Sequence, residues 1–171
     1  EQLGLDKPVQ VRYLVWLERI VQGDWGYSHI KKRPVLDVIL ERFPATLLLT
    51  VTGYSMSALL GVLLGLLSAI KAGSRIDVAL NGLNYVIYST PTFLVALLAM
   101  LVFAVWLGWL PAGGRQTVTL TGQTSLWDRI QHLILPVAVL SFGPIAFFSR
   151  IMRTETLEVI HTDYVRTARA K

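Results

Sequence analysis

The sequence contains no cysteine among its 171 residues, which excludes disulfide frameworks, zinc sites of the cysteine type and thiol nucleophiles. Charge is also scarce: Asp, Glu, Lys and Arg make up 16% of the chain against 53% apolar residues, at the apolar limit for a soluble globular domain. Acidic groups number 11 against 16 Lys and Arg. The net charge of +5 is mild and scattered, so a nucleic-acid footprint, which needs cations clustered along one face, is excluded. There is no Gly-x4-Gly-Lys-Ser/Thr loop to cradle a nucleotide, so the chain is not itself an ATPase. His29, His132 and His161 stand too far apart for a metal cluster, and no cofactor is expected. Glu1 is not an initiator residue, no signal-peptide pattern follows it, and the last residues run polar into an abrupt end, which is the expectation for a fragment.

What the sequence does have is long runs without charge. Residues 43–70 hold 28 uncharged positions, about 42 Å as a helix at about 1.5 Å per residue, against a bilayer core of about 30 Å. Residues 78–114 form a second run of 37, too short for two spans and a turn and too long for one. It reads as one span over 85–109 with a polar lead-in at Asn81, Gly82 and Asn84. A third run, 130–149, carries at most the charge of His132. The expected fold is therefore an all-α transmembrane helix bundle with spans at 43–70, 85–109 and 130–149; buried helices of a soluble protein rarely supply such runs.

Residues 1–42 are different, with seven basic and six acidic groups. Pro8 suits a first helical turn, and Tyr13, Trp16, Leu17, Ile20 and Val21 keep helical spacing after it, which predicts an amphipathic helix that ends at the Gly23 to Gly26 run. Lys31, Lys32, Arg33 and Pro34 then precede a second polar helical segment leading into the membrane. Three spans place 1–42 and the 109–129 loop on one side, and the 71–77 loop and the tail on the other. The second side holds seven Lys and Arg in 29 residues against nine in 63, so by density it is cytoplasmic. Trp106, Trp109 and Trp127 bracket the 109–129 loop as an interfacial belt, which marks an edge of the bilayer without saying which edge.

Gly53, Ser57, Gly61, Gly65 and Ala69 recur every four residues and lay a stripe of small side chains along one face of the first span, a surface on which another helix can approach closely. Tyr85, Tyr88, Ser89 and Pro91, with Thr90 and Thr92, set hydroxyls beside a proline that cannot donate its backbone bond, so a kink is expected. Such broken helices can line a polar pathway, because unsatisfied backbone survives in a membrane only against protein or water; hydroxyls that merely satisfy a kink are an equally good account. Arg150 and Arg153 close the third span, where cations complement lipid headgroups. An intramembrane serine protease dyad of Ser55 and His132 is weighed and set aside, since methionine follows Ser55 and the two lie at different expected depths. A secondary transporter or channel would want an intramembrane carboxylate or cation, and no Asp, Glu, Lys or Arg falls within the three expected spans.

The tail is the most specific part. After Arg150 the third span continues as a mixed-charge helix, and Thr162 or Asp163 can cap a new short one. Asp163, Tyr164, Val165, Arg166, Thr167, Ala168, Arg169, Ala170 and Lys171 together resemble the opening of the cytoplasmic loop of permease subunits of ATP-binding-cassette importers. The resemblance is closest to the dipeptide and oligopeptide branch, and Ala168 keeps the third residue of that loop's Glu-Ala-Ala motif while Arg166 and Thr167 replace the first two. Leu3 to Pro8, Gly23 to Ser28, Arg42 to Leu47 and Tyr88 to Phe93 resemble the same branch, so the likeness covers essentially the whole chain. It implies the type I importer permease fold in a cell inner membrane, 1–42 outside the cytoplasm, a permease domain over 43–171, and an ATPase-coupling segment over 155–171 carried by Asp163, Tyr164, Arg166, Thr167, Ala168, Arg169, Ala170 and Lys171. It also implies further spans before Glu1 and after Lys171. The partners it implies are a second permease subunit, two ATP-binding subunits on the cytoplasmic side, an extracytoplasmic substrate-binding protein and the lipid bilayer.

Overall fold

The computed structural model describes residues 8–117, 125–162 and 165. The chain forms two compact units, Glu1–Leu47 and Leu48–Lys171, a division five residues beyond the boundary expected at 42.

In the first unit, helix α1 (Val9–Val21) starts on Pro8, whose carbonyl accepts from the Val11 and Arg12 N–H groups at 3.0 and 3.1 Å. It stops in a Schellman turn: Gly23 takes φ +88°, and the Asp24 and Gly23 N–H groups return to the carbonyls of Arg19 and Ile20 at 2.8 and 2.9 Å. A glycine suits that left-handed position because it has no Cβ to clash. A short antiparallel hairpin follows, β1 (Tyr27–Ser28) with β2 (Arg33–Pro34), which the sequence did not announce because each strand is two residues long. Arg33 forms an ion pair with Glu41 on the first turns of helix α2 (Val35–Ile70).

In the second unit, α2 continues to Ile70, Ser74 caps α3 (Arg75–Ser89) by accepting from the Asp77 N–H at 3.3 Å, and Ser125 caps α5 (Leu126–Ile160) by accepting from Trp127 N–H at 3.1 Å. Helices α2 and α5 are both long and apolar enough to cross a membrane. The stretch expected as one span over 85–109 lies in two helical pieces, Arg75–Ser89 and Thr92–Trp106, bent by 98°. The second piece is α4 (Thr92–Ala99) running on as a π-helix (Met100–Trp106).

The break has a local cause. Pro91 offers no N–H to the Ile87 carbonyl, and the residue before a proline is pushed out of the helical region; Thr90 accordingly sits at φ −95°, ψ 120°. Its N–H reaches the Ile87 carbonyl at 3.4 Å, and its hydroxyl donates to the Val86 carbonyl left free, at 2.7 Å. The expected polar lead-in is helical as well, because Ser74 caps it and Asn81 and Asn84 find partners inside the unit.

Burial is inverted relative to a soluble protein. The buried positions are Gly53, Ser57, Gly61, Gly65, Ser68 and Ala69 on α2, Asp77, Asn84 and Ile87 on α3, and His132, Ser141, Ala146 and Ser149 on α5. Large apolar side chains such as Leu59, Leu63, Val86, Phe93 and Ile151 are exposed. In water that arrangement would forfeit the main driving force of folding. In lipid it is the favourable one, since tails solvate leucine well and helices associate through close backbone approach and shared polar groups.

Candidate functional site

The stripe on α2 meets α5. A Cβ on Gly53 would lie 3.4 Å from Leu140 Cβ, an ordinary contact, whereas one on Gly61 would fall 2.5 Å from Phe148 Cβ and 2.9 Å from the Ile145 carbonyl oxygen. One on Gly65 would fall 2.5 Å from the Ser149 carbonyl oxygen and 2.7 Å from Met152 Cβ. The helices therefore converge from Gly53 to Gly65. Ser57 is fully buried within this seam, donating to the Gly53 carbonyl at 2.7 Å with the Ser141 carbonyl 3.3 Å away. Ala69 is buried one turn further on.

These contacts advance in the same direction along both helices, so α2 and α5 run parallel. The chain between them must then return to its starting level, and among the described residues the bent pair α3–α4 with its π-helical end forms the helical part of that connection. Helix α3 runs the opposite way, its Asp77 meeting Arg153 and its later Asn84 meeting the earlier Ser149.

At the end of the seam lies a group of residues that the sequence reading did not bring together. Asp77, 4% exposed, accepts two hydrogen bonds from Arg153 (Nε to Oδ1 and Nη2 to Oδ2, both 2.8 Å), one from the Ser68 hydroxyl at 2.5 Å, one from the Gly73 N–H at 3.0 Å and one from the Asn81 amide at 2.7 Å. A buried carboxylate needs such a shell, because desolvation is offset only when charge and lone pairs are both matched. The node joins the end of α2, the turn at 71–74, the first turn of α3 and α5. Expectation placed Asp77 in a loop between spans and Arg153 among lipid headgroups; the structure turns both inward. The one sequence signal was Ser74-x-x-Asp77 behind Gly73, the pattern of a helix start. The arginine 76 positions away left no such trace.

Further along α3, the Asn84 amide donates to the Ser149 hydroxyl at 3.2 Å, and the Arg150 guanidinium stands 5.3 Å over the Tyr88 ring. From within α5, Arg150 thus meets an aromatic face and does not stand at the helix end, which lies at Ile160. The residues considered as pathway lining, Tyr85, Tyr88, Ser89 and Pro91, are all exposed on this chain, Tyr85 by 75%. Ser55 is exposed and faces away from the Gly53–Ser57 stripe that meets α5. His132 is buried on α5 with Nδ1 2.8 Å from the Asp128 carbonyl oxygen. Helix α5 extends to Ile160, seven residues beyond Arg153. Asp163, Tyr164, Arg166, Thr167, Ala168, Arg169, Ala170 and Lys171 lie outside the described residues.

The chain matches, over residues 61–171, the family described as the binding-protein-dependent transport system inner membrane component. Among curated relatives it is 43% identical to a putative peptide permease protein of Brucella suis biovar 1 (strain 1330), over 99% of this chain and 53% of that protein. It is 40% identical to an oligopeptide transport system permease protein of Bacillus subtilis (strain 168), over 100% of this chain and 54% of that one. A di/tripeptide transport system permease protein of Pseudomonas aeruginosa (strain UCBPP-PA14) is 37% identical over 99% of this chain and 55% of its own length. The chain thus spans about half the length of the curated relatives it matches. With its inverted burial and two apolar helices long enough to cross a membrane, the chain belongs to the inner-membrane component family of binding-protein-dependent transport systems, with the type I permease fold.

Proposed function

We propose that the protein is a permease subunit of an ATP-driven importer and forms part of the membrane pathway for peptides or similar small solutes. The observation that carries this reading is identity of 37–43% along almost the whole chain to proteins named peptide, oligopeptide or di/tripeptide permeases. The small-residue seam and the broken α3–α4 pair support it, since both suit a bundle built around a polar route. In the working assembly the subunit pairs with a second permease, two ATP-binding subunits on the cytoplasmic side and an extracytoplasmic binding protein, and residues 1–42 face outward.

Coupling to the ATPases runs through 163–171. Small Ala168 and Ala170 give a low-relief face for a groove, and Arg166 and Arg169 reach acidic residues at its rim. The rival, a basic tail on lipid headgroups, assigns no role to the alanines. An ion-coupled transporter is less well supported, because the buried carboxylate of Asp77 is already neutralised by Arg153.

The test is to purify the intact subunit from membranes with the subunits encoded beside it, and to compare wild type with Ala168→Trp, which alters no charge. The expected result is a bound ATPase in wild type, with ATP-dependent uptake of trialanine in vesicles, and loss of ATPase retention or of uptake in the variant. An intact subunit that retains no ATPase sinks the importer reading. A variant that retains and couples like wild type sinks the coupling segment alone.

A further inference from the structure

We propose that Asp77 and Arg153 are positioning residues: their ion pair is a permanent clamp that makes the turn between α2 and α3 and the end of α5 move as one body when the segment after Ile160 is displaced. The proposal rests on the importer reading and deepens it, naming the element through which motion passes from the coupling segment into the bundle.

Three observations carry it. The first is reach. Arg153 lies about two turns, roughly 10 Å at about 1.5 Å per residue, before the end of α5 at Ile160, so a push on the following segment meets this contact before any other interhelix polar contact described. The second is completeness. Five donor contacts from Arg153, Ser68, Gly73 and Asn81 converge on one carboxylate, and they come from α2, the turn, α3 and α5 at once. The third is contrast. Of the interhelix hydrogen bonds described, the others are single and neutral, Asn84 to Ser149 at 3.2 Å and Ser57 to the Ser141 carbonyl at 3.3 Å, while Arg150 over the Tyr88 ring is a cation–π contact at 5.3 Å to the ring centroid.

A rigid link is what the geometry favours over a switch. Separating the pair would leave the buried Asp77 carboxylate without its counter-charge and the half-buried Arg153 guanidinium without its carboxylate, and the two parallel N–H···O bonds fix angle as well as distance. A merely stabilising pair would set the amount of folded protein and leave the motion of the folded complex alone. The clamp sets the motion itself.

The experiment uses the intact subunit in its assembled complex, with spin labels at Arg75 and Glu155, both exposed, and distances measured without nucleotide and with ATP plus vanadate. In wild type a single, unchanged distance is expected in both states. In Asp77→Asn, Arg153→Gln, which removes both charges and strands neither, the ATPase stays bound, the distance broadens or shifts between states, and solute taken up per ATP hydrolysed falls several-fold. A wild-type distance that changes with nucleotide overturns the clamp, even if the double variant cannot be purified. So does a double variant that keeps the wild-type distance in both states. A wild-type subunit that retains no ATPase overturns the importer reading instead, and is told apart by that failure.

Discussion

Helix α5 is held by two kinds of contact that fail in opposite ways. Along its middle it meets α2 through glycines and serines, where hypothetical Cβ atoms would approach Phe148, Ser149 and Met152 to within 2.5 to 2.7 Å; apart from the Ser57 contact to the Ser141 carbonyl, the attraction described there is that of nearness, and the contact fails when atoms are added. At Arg153 it meets Asp77 through charge and two hydrogen bonds, with three more donors from Ser68, Gly73 and Asn81 completing the carboxylate's shell, and that contact fails when atoms are removed. Lipid explains why both occur in one short unit. Tails compete as well as leucine does for apolar surface, so helices are joined either by closeness that a tail cannot match or by polar groups that a tail cannot satisfy.

The comparison breaks most visibly at the ionic end. Arg153→Ala leaves the Asp77 carboxylate buried with its principal partner gone, and the intact subunit should lose about 3–5 kcal/mol, the usual consequence of orphaning one member of a buried pair. Thermal unfolding in detergent would register this as a large fall in Tm, and Asp77→Ala combined with Arg153→Ala should recover part of it. A double variant worse than either single change would mean that the pair acts through something other than mutual neutralisation.

At the seam the order follows distance. Gly61→Leu with Gly65→Leu should overpack the contact by about 1–3 kcal/mol at each site, and even Gly65→Ala should lower Tm, because the nearest atom is a backbone oxygen that cannot step aside. Gly53→Ala should be nearly silent, its Cβ meeting Leu140 at an ordinary 3.4 Å. Equal effects at positions 53 and 65 would show that helix propensity, not helix contact, governs the stripe.

Between the two regimes stands Asn84. Its bond to Ser149 is a single neutral one, and interhelical bonds of that kind are worth about 0.6 kcal/mol on average and about 1.7 at most. Asn84→Ala should therefore shift Tm by a small amount, well short of the effect of Arg153→Ala. A loss as large as that of the ion pair would place Asn84 in the same cooperative network.

Much of this was legible in the chain itself. The uncharged runs at 43–70 and 130–149 lie within α2 and α5, because a stretch that long with no charge has few fates besides a lipid-facing helix. Pro91 announced a break, since the missing N–H acts within one turn and needs no tertiary partner. The breadth of the break, 98°, was not legible, nor was the helix that precedes it: Asn81, Gly82 and Asn84 read as a polar lead-in until Asp77 and Ser149 supplied their partners.

The sequence by itself determined which stretches avoid water, where the backbone must break, and which face of α2 is small, because each follows from the composition or periodicity of a single segment. Only the tertiary structure decided that the small face meets α5 in parallel, that Arg153 turns from the headgroups to Asp77, and that Arg150 stands over Tyr88. These are pairings between residues 62 to 88 positions apart. A local pattern records what a residue would satisfy, whereas the choice among partners of equal chemistry is made by which helices the packing brings within about 3 Å.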